Sequence, residues 1–487
     1  MTDVYAYQKI INALKRNKKG VTAADVCSAT ALPLQTVREL LPKAADEYGG
    51  NLQVTQSGEI LYSFPSGFTS RYRGFNAKIK KAARLISDAV KKISVFLFKT
   101  WIMLMLTGYF ALFIFILIAS VFLSVMVQSK SSGRGRSVRI TPGLFQILWR
   151  IWFFNEMTRS RYGRYPYSSV TQDKKKGRPM HKAVFSFVFG EGDPNKDFDD
   201  KENKAVISYI QANRGVISLA EYMAFTGKDS MEANEAILAF CSKYGGSPEA
   251  TEEGTLVFRF DDIMLRANKE SRPELSPPIK QLKTFSFNKT GMNGWFIVIN
   301  AVNLIFGSYF LYNAANSGRL VSDVKYQGAP YLYAFTHSFM DKIFQNPQIV
   351  ISVALGVIPL VFSILFWLVP AVRKYMENKE NENIKLINFK KFGFCKIWEN
   401  PDNVEVSGLV SQDEQCRPKN IDYAADRVIK DLGAVSNPQV ETGGDGKIYY
   451  SFNDLKIEKN ALAEYRNSLD PQSAQIGNTV FDSSSRL

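Results

Sequence analysis

The side chains that most often do chemistry are few in this sequence and far apart. Four cysteines, Cys27, Cys241, Cys395 and Cys416, stand alone with no Cys-x-x-Cys pair. Zinc and iron–sulphur centres need clustered thiolates, so this spacing points to separate reduced thiols instead. Two histidines, His181 and His337, are too few for a histidine-based metal or triad site. A Gly-x-Gly-Asp cluster lies in FSFVFGEGDPN, residues 185–195. It invites a phosphate or metal reading, but it lacks the third glycine and the βαβ setting of a dinucleotide site. The expected account is a strand and then a tight turn through Gly190, Gly192 and Pro194, with Asp193 capping the next element or holding a cation. No nucleophile–base pair and no ligand cluster can be assembled, so an enzyme, a cofactor and a bound metal are not expected. Asn300 and Asn303 lie inside an apolar run, where they serve as hydrogen-bonding glue between helices or face a polar path.

Stepping outward from these residues, the chain shows three long uncharged runs. Trp101 to Val127 is long enough to cross a hydrocarbon core of about 30 Å with residues to spare. Met292 to Asn316 is more polar and carries the two asparagines. Ile349 to Val372 is interrupted by Pro359 and Pro370, which a bilayer helix tolerates when neighbours satisfy the freed carbonyls. The expected spans are 100–128, 292–316 and 349–372. The first ten residues, MTDVYAYQKI, contain Asp3 and no apolar core, so no cleaved signal peptide is expected.

The formal net charge is +15 over 487 residues. Arg71 to Lys99 carries nine basic residues and one acid, and Lys130 to Lys182 carries thirteen and two. These two flanks exceed the net charge of the whole protein, so the remainder is net acidic. Positive charge beside apolar runs serves topology and attraction to anionic lipid. FNAKIKKAARLISDAVKK reads as a basic amphipathic helix over 71–99, with Phe75, Ile79, Ala82, Ile86 and Val90 on one face. Its Lys78, Lys80, Lys81, Arg84, Lys91 and Lys92, with Arg134, Arg136 and Arg139 of the basic linker 129–182, are the expected membrane-surface contacts. Within that linker, 142–154 reads as an interfacial or re-entrant element.

Three crossings would leave the chain ends on opposite sides, yet every flank except the 317–346 aromatic loop is basic. The positive-inside rule therefore asks for an even number. A shallow hairpin turning near Gly108, or a return through 142–154, would supply it and leave the soluble modules in the cytoplasm.

Residues 21–64 align without a gap on 217–260, with Ala24/Ala220, Tyr48/Tyr244, Gly49/Gly245, Gly50/Gly246, Gly58/Gly254 and Phe64/Phe260 coinciding. A weaker copy ends in VETGGDGKIYYSF. Each unit reads as a helix, a short strand, two helices stopped at Tyr-Gly-Gly and a hairpin, which is the winged-helix plan. The expected fold is α+β winged-helix-like modules (1–68 and 183–265 clear, 383–456 weak) plus an α-helical transmembrane region, with 457–487 as a flexible tail. DNA reading needs basic recognition helices. Arg38 and Lys43 face Glu39, Asp46 and Glu47, and residues 196–262 hold seven bases against thirteen acids. Nucleic acid is therefore a disfavoured partner.

FVFGEGDPN, the repeated Tyr-Gly-Gly wing and IGNTVFDSS (476–484) resemble a family of uncharacterised membrane proteins of bacteria, cyanobacteria and plastids. Its plant members are catalogued under iron–sulphur cluster biosynthesis. The resemblance implies a membrane protein with soluble modules and a cluster-related role, which the scattered cysteines do not support. The leading expectation is a membrane-anchored adaptor in a bacterial inner membrane, contacting anionic lipid and a protein partner or a second copy. The alternatives are a membrane-tethered transcriptional regulator and a transport or insertion component.

Overall fold

The computed structural model describes residues 2–16, 20–65, 67–68, 75–131, 178–267, 276–316, 331–443, 447–470 and 475–483. In chain order the elements are α1 (Thr2–Arg16), α2 (Ala23–Thr30), α3 (Leu34–Tyr48), β1 (Asn51–Thr55), β2 (Ile60–Ser63) and the long α4 (Phe75–Ser131). Next come α5 (Met180–Phe189), α6 (Phe198–Ala212), β3 (Val216–Ser218), α7 (Leu219–Thr226), α8 (Ser230–Tyr244), β4 (Ser247–Ala250) and β5 (Leu256–Arg259). Then follow α9 (Thr290–Ala315), α10 (Tyr331–Asp341), α11 (Ile358–Glu399), β6 (Val404–Glu405), α12 (Ile421–Ser436), β7 (Gln439–Thr442), β8 (Ile448–Ser451), α13 (Asn453–Ser468) and β9 (Thr479–Asp482). The chain divides into two units. One comprises Met1–Ala82, Asp193–Lys283 and Asn378–Leu487; the other comprises Ala83–Gly192 and Thr284–Glu377.

The first unit is mixed α/β with three three-stranded sheets. Its first two sets of elements share their bounds at one constant offset: 2–16 with 198–212, 23–30 with 219–226, 34–48 with 230–244, and 60–63 with 256–259. Local chemistry sets these bounds. Thr22 and Asp25 form a capping box at the start of α2, as Ser218 and Glu221 do for α7. The left-handed Ala31 and Gly227 end those helices, and the left-handed Gly49 and Gly245 end the next. The following glycines make room for a ring: a Cβ on Gly50 would lie 2.7 Å from the Phe64 ring, and one on Gly246 would lie 2.3 Å from the Phe260 ring.

In each set the segment before the second helix joins the sheet beside the later hairpin strand: Val21 bridges Tyr62, β3 pairs β5, and β6 pairs β8. The third set has no separate first helix; the end of α11 leads into β6 through the four residues 400–403. The first set has its own core around Ile10, Val37 and Leu41, while the second and third share one that runs from Val206 to Leu462.

Two expectations about elements give way. The stretch 457–487 contains most of α13 and also β9, which pairs antiparallel with β1. Its Thr479–Asp482 run is only four residues and mostly exposed, so it offers no periodic signal of its own; the partner strand supplies the order. The second is the shallow hairpin at Gly108. There α4 is continuous from residue 75 to 131, so the amphipathic segment and the apolar run are one helix.

The second unit holds most of the three helices long and apolar enough to cross a membrane: Ala89–Phe122, Gly291–Ala315 and Pro347–Glu399. The third begins as a short α-turn, widens to a π-turn over Ile351–Val357 and continues as α11, which keeps Pro370 in its interior. These helices give the protein its integral-membrane character.

Candidate functional site

Contacts inside the second unit fix how the three spans run. Ile102 and Leu106 of α4 share a cluster with Phe296 and Ile299 of α9 and Phe366 of α11. Phe113 and Ile116 of α4 share another with Phe310 and Ala314 of α9, and with Ile351 and Leu355. So α4 and α9 run parallel, and α11 runs against both. We call the end at Ile102 and Phe366 the near end, and the end at Ile116 and Ile351 the far end.

Asn300 and Asn303 sit in the middle of this bundle, both 0% exposed. The Asn300 amide donates to the Ser363 carbonyl at 2.9 Å, and the Asn303 amide to the Leu106 carbonyl at 2.8 Å. One turn further, small residues let backbones approach: a Cβ on Gly307 would lie 3.1 Å from the Leu360 nitrogen, and one on Gly356 would lie 3.0 Å from Leu311. Each asparagine thus ties α9 to a different neighbour. The Oδ1 atoms of both, with Ser363 Oγ, have no hydrogen-bond partner among the described residues.

The near end is closed by α5. FSFVFGEGDPN was expected to open as a strand, and the structure makes its first part the end of a helix over Met180–Phe189. The reason is burial on several sides: Ala183, Val184, Phe187 and Val188 are all core residues of the bundle. A run apolar on every face carries no clean period of two or of 3.6. Gly190, at φ +81°, stops the helix, and a side chain there would meet the Arg373 guanidinium 2.7 Å from its Cβ.

Arg373, just after the third apolar run, caps this helix. It donates to the Val188 carbonyl at 3.2 Å, to that of Phe187 at 2.8 Å and to that of Phe285 at 3.0 Å. It also pairs with Glu377 at 2.5 Å and lies over the Phe285 ring. A cation on the last carbonyls of a helix is favoured by the helix dipole as well as by the hydrogen bonds. Beside it, Arg178 grips Glu191 with both guanidinium nitrogens, and Glu191 also accepts from the Ser186 hydroxyl and the Phe287 amide. These donors, Arg178 first, hold the Glu191 carboxyl at a pKa of about 2. The Gly-x-Gly-Asp turn is thus filled by the protein's own cations. Asp193, the residue expected as a cap or cation ligand, accepts from the Asn195 amide within its turn.

The cysteines are not brought together. All four are buried and free. Burial pushes the Cys27 thiol up to about 12 and the Cys241 thiol up to about 11. No group of three or more His, Cys, Asp or Glu residues arranged to hold a metal occurs among the described residues.

In the first unit, the arginine of the first recognition helix is engaged within the chain, while Lys43 on the same helix is exposed. Arg38, on α3, pairs with Glu59 of its own hairpin and Asp262 of the second set, each at 3.3 Å. Tyr244, at the end of α8, donates to the Ala31 carbonyl at 3.0 Å. The outer strand of the first hairpin is covered by β9, with Gln53 donating to Asp482 at 2.7 Å. Lys391, its side chain 0% exposed, pairs with Glu202 at 2.6 Å and donates to the Pro278 carbonyl at 3.0 Å.

Of the expected membrane-surface residues, Lys91 and Lys92 are exposed on α4. Lys78, Lys80, Lys81 and Arg84 lie on the same helix, with side chains outside the described set. Arg134, Arg136 and Arg139 and the 142–154 segment lie outside the described residues, as does 317–330 of the aromatic loop; α10 takes up 331–341 of the rest. The sequence reading passed over Arg178, Glu191 and Arg373. Arg373 had a legible signal, as the first charge after an apolar run.

No family model matches the chain, and no solved structure matches it. Among curated proteins it is similar to one described as "Uncharacterized protein At5g03900, chloroplastic" from Arabidopsis thaliana. The two are 24% identical over 425 residues, which is 81% of this chain and 73% of that protein. A distant and itself uncharacterized chloroplast protein of a plant is thus a relative of this chain.

Proposed function

We propose that the protein is a membrane-anchored adaptor, whose three helix-and-hairpin sets are winged-helix modules used for protein contact. The constant offset between the first two sets, with matching capping boxes and glycine stops, supports a repeated module. The engaged state of Arg38 carries the choice of protein over DNA. A recognition helix whose arginine is tied to two carboxylates, beside a wing covered by β9, has little free cation to offer phosphate.

Sidedness follows from the ends of the bundle. The chain passes between units at 82/83, 192/193, 283/284 and 377/378. The Gly190, Phe285 and Arg373 contacts bring the last three of these to the near end, and α4 enters there through the residues before Ile102. α4 runs from the near end to the far end and α5 packs at the near end, which supports an even number of crossings. With an even number of crossings all modules would share one side, and the basic flanks favour the cytoplasm or its plastid counterpart for it.

The adaptor reading is tested with the full-length protein in nanodiscs. It expects no salt-dependent shift of duplex DNA, and discrete protein adducts from photo-crosslinkers at Met231 and Leu238, which are exposed on α8. DNA binding that weakens steeply with salt, together with no adducts, would favour the regulator instead. One observation favours transport as a second reading: the partnerless oxygens of Asn300, Asn303 and Ser363 in the bundle core.

A further inference from the structure

Around the start of α5 the near end carries basic residues that form no ion pair among the described residues. His181 and Lys182 stand in the first turn of that helix, and Lys99 of α4 reaches toward the same place. The His181 ring meets the Phe96 ring at 5.3 Å, and Lys99 Nζ lies 4.3 Å from the centre of the Phe185 ring. Lys182 and Lys99 are both close enough to push the His181 imidazole pKa down, adding to the effect of its burial. Among the described residues no carboxylate forms an ion pair with any of the three, and Glu191, beyond the other end of α5, pairs with Arg178. The helix start adds to the positive field: Pro179 is its N-cap and gives no side-chain cap.

Two lysines crowded against an imidazole, with no ion-paired carboxylate among the described residues, favour an anion that would complete the group. Their surroundings say which kind of anion. Phe96, Phe98, Trp101 and Phe189 are large aromatics exposed beside them, at 53%, 44%, 52% and 42%. Phe98, Phe185 and Phe189 touch one another, with Phe98 against Trp101. Exposed aromatic rings and a lysine-rich cluster at the end of an apolar span are the composition of a headgroup-level belt. We infer that Lys99, His181 and Lys182 form a binding site for the phosphate of an anionic glycerophospholipid, whose acyl chains lie against Phe98, Trp101 and Phe189. This goes beyond the adaptor reading and rests only on the bundle crossing a membrane.

The site is read at His181. In the full-length His337→Gln protein a single imidazole remains, so its titration by NMR is unambiguous. The measurement uses nanodiscs of phosphatidylcholine alone, nanodiscs with phosphatidylglycerol added, and phosphatidylcholine nanodiscs with inorganic phosphate in the buffer. The expected result is a higher His181 pKa with phosphatidylglycerol, little change with inorganic phosphate, and loss of the rise in Lys99→Gln/Lys182→Gln. Native mass spectrometry of that double variant should show retained phosphatidylglycerol falling by about fivefold per cation removed. Three results overturn the inference: no rise with phosphatidylglycerol, an equal rise with inorganic phosphate (a general anion site), or a rise and lipid retention that survive the double substitution. The DNA and crosslinking results that test the adaptor reading are separate from all of these.

Discussion

The guanidinium of Arg373 donates to the carbonyl of Val188 at 3.2 Å, so the residue that ends the last apolar run also ends the helix at the mouth of the bundle. Lysine keeps the charge but cannot fork to several carbonyls at once. Arg373→Lys should lower stability by about 1–3 kcal/mol, and Arg373→Gln by about 3–5 kcal/mol, because it also leaves Glu377 without its cation. Thermal unfolding in one fixed detergent would measure both. Equal stability of all three proteins would remove Arg373 from the account of how the near end is held.

Glu191 gives a signed pH dependence. Its folded pKa of about 2 lies below the ordinary carboxylate value near 4.5. Its contribution is therefore complete above pH 4.5 and disappears as pH falls from there toward about 2. Glu191→Gln should be less stable than the wild type at neutral pH, and the gap should close across that window. A gap that stays constant down to pH 2 would mean that Arg178 and Ser186 do not stabilise the charged form.

The asparagines of the bundle should matter little one at a time. Each makes one interhelical hydrogen bond, worth about 0.6–2 kcal/mol in a bilayer, and each leaves its Oδ1 without a partner among the described residues. Asn303→Leu should therefore cost under about 2 kcal/mol in unfolding from the membrane. A larger loss would mean that the amide oxygen also has a partner, such as buried water or a substrate on a polar path.

Gly246 is constrained more tightly than its exposed counterpart in the hairpin turn. A Cβ there would lie 2.3 Å from the fully buried Phe260 ring, whereas one on Gly254 would meet nothing within 4 Å. Gly246→Ala should destabilise by about 1–3 kcal/mol through overpacking. Gly254→Ala carries only the strain of its φ of +81°. Chemical denaturation of the two variants side by side would rank them, and the reverse order would mean that the Phe260 ring moves aside freely.

The sequence revealed structure where the determinant is local. Thr22 with Asp25 and Ser218 with Glu221 start helices, and Gly49 and Gly245 stop them, so the first two sets could be outlined from spacing alone. It failed where the determinant is a distant neighbour. The 185–189 run is apolar except for Ser186, and its place between three spans makes it helical. The Thr479–Asp482 run acquires its order from β1, more than four hundred positions away. The first helix of the third set has no start signal because α11 runs through from the membrane span. The site cations were countable in the sequence, but the fold decided which were neutralised: Arg178 and Arg373 by carboxylates, with no ion pair to Lys99 or Lys182 among the described residues.

Sidedness can be measured directly, because the four native thiols are buried and introduced cysteines would be read against a quiet background. Cysteine placed singly at the exposed Ser57, Glu253, Lys456 and Gln345 would be challenged with an impermeant maleimide in sealed, oriented vesicles. The first three should label from one side and Gln345 only from the other. Labelling of Glu253 from the side of Gln345 would contradict the even number of crossings, and with it the shared face on which the modules act.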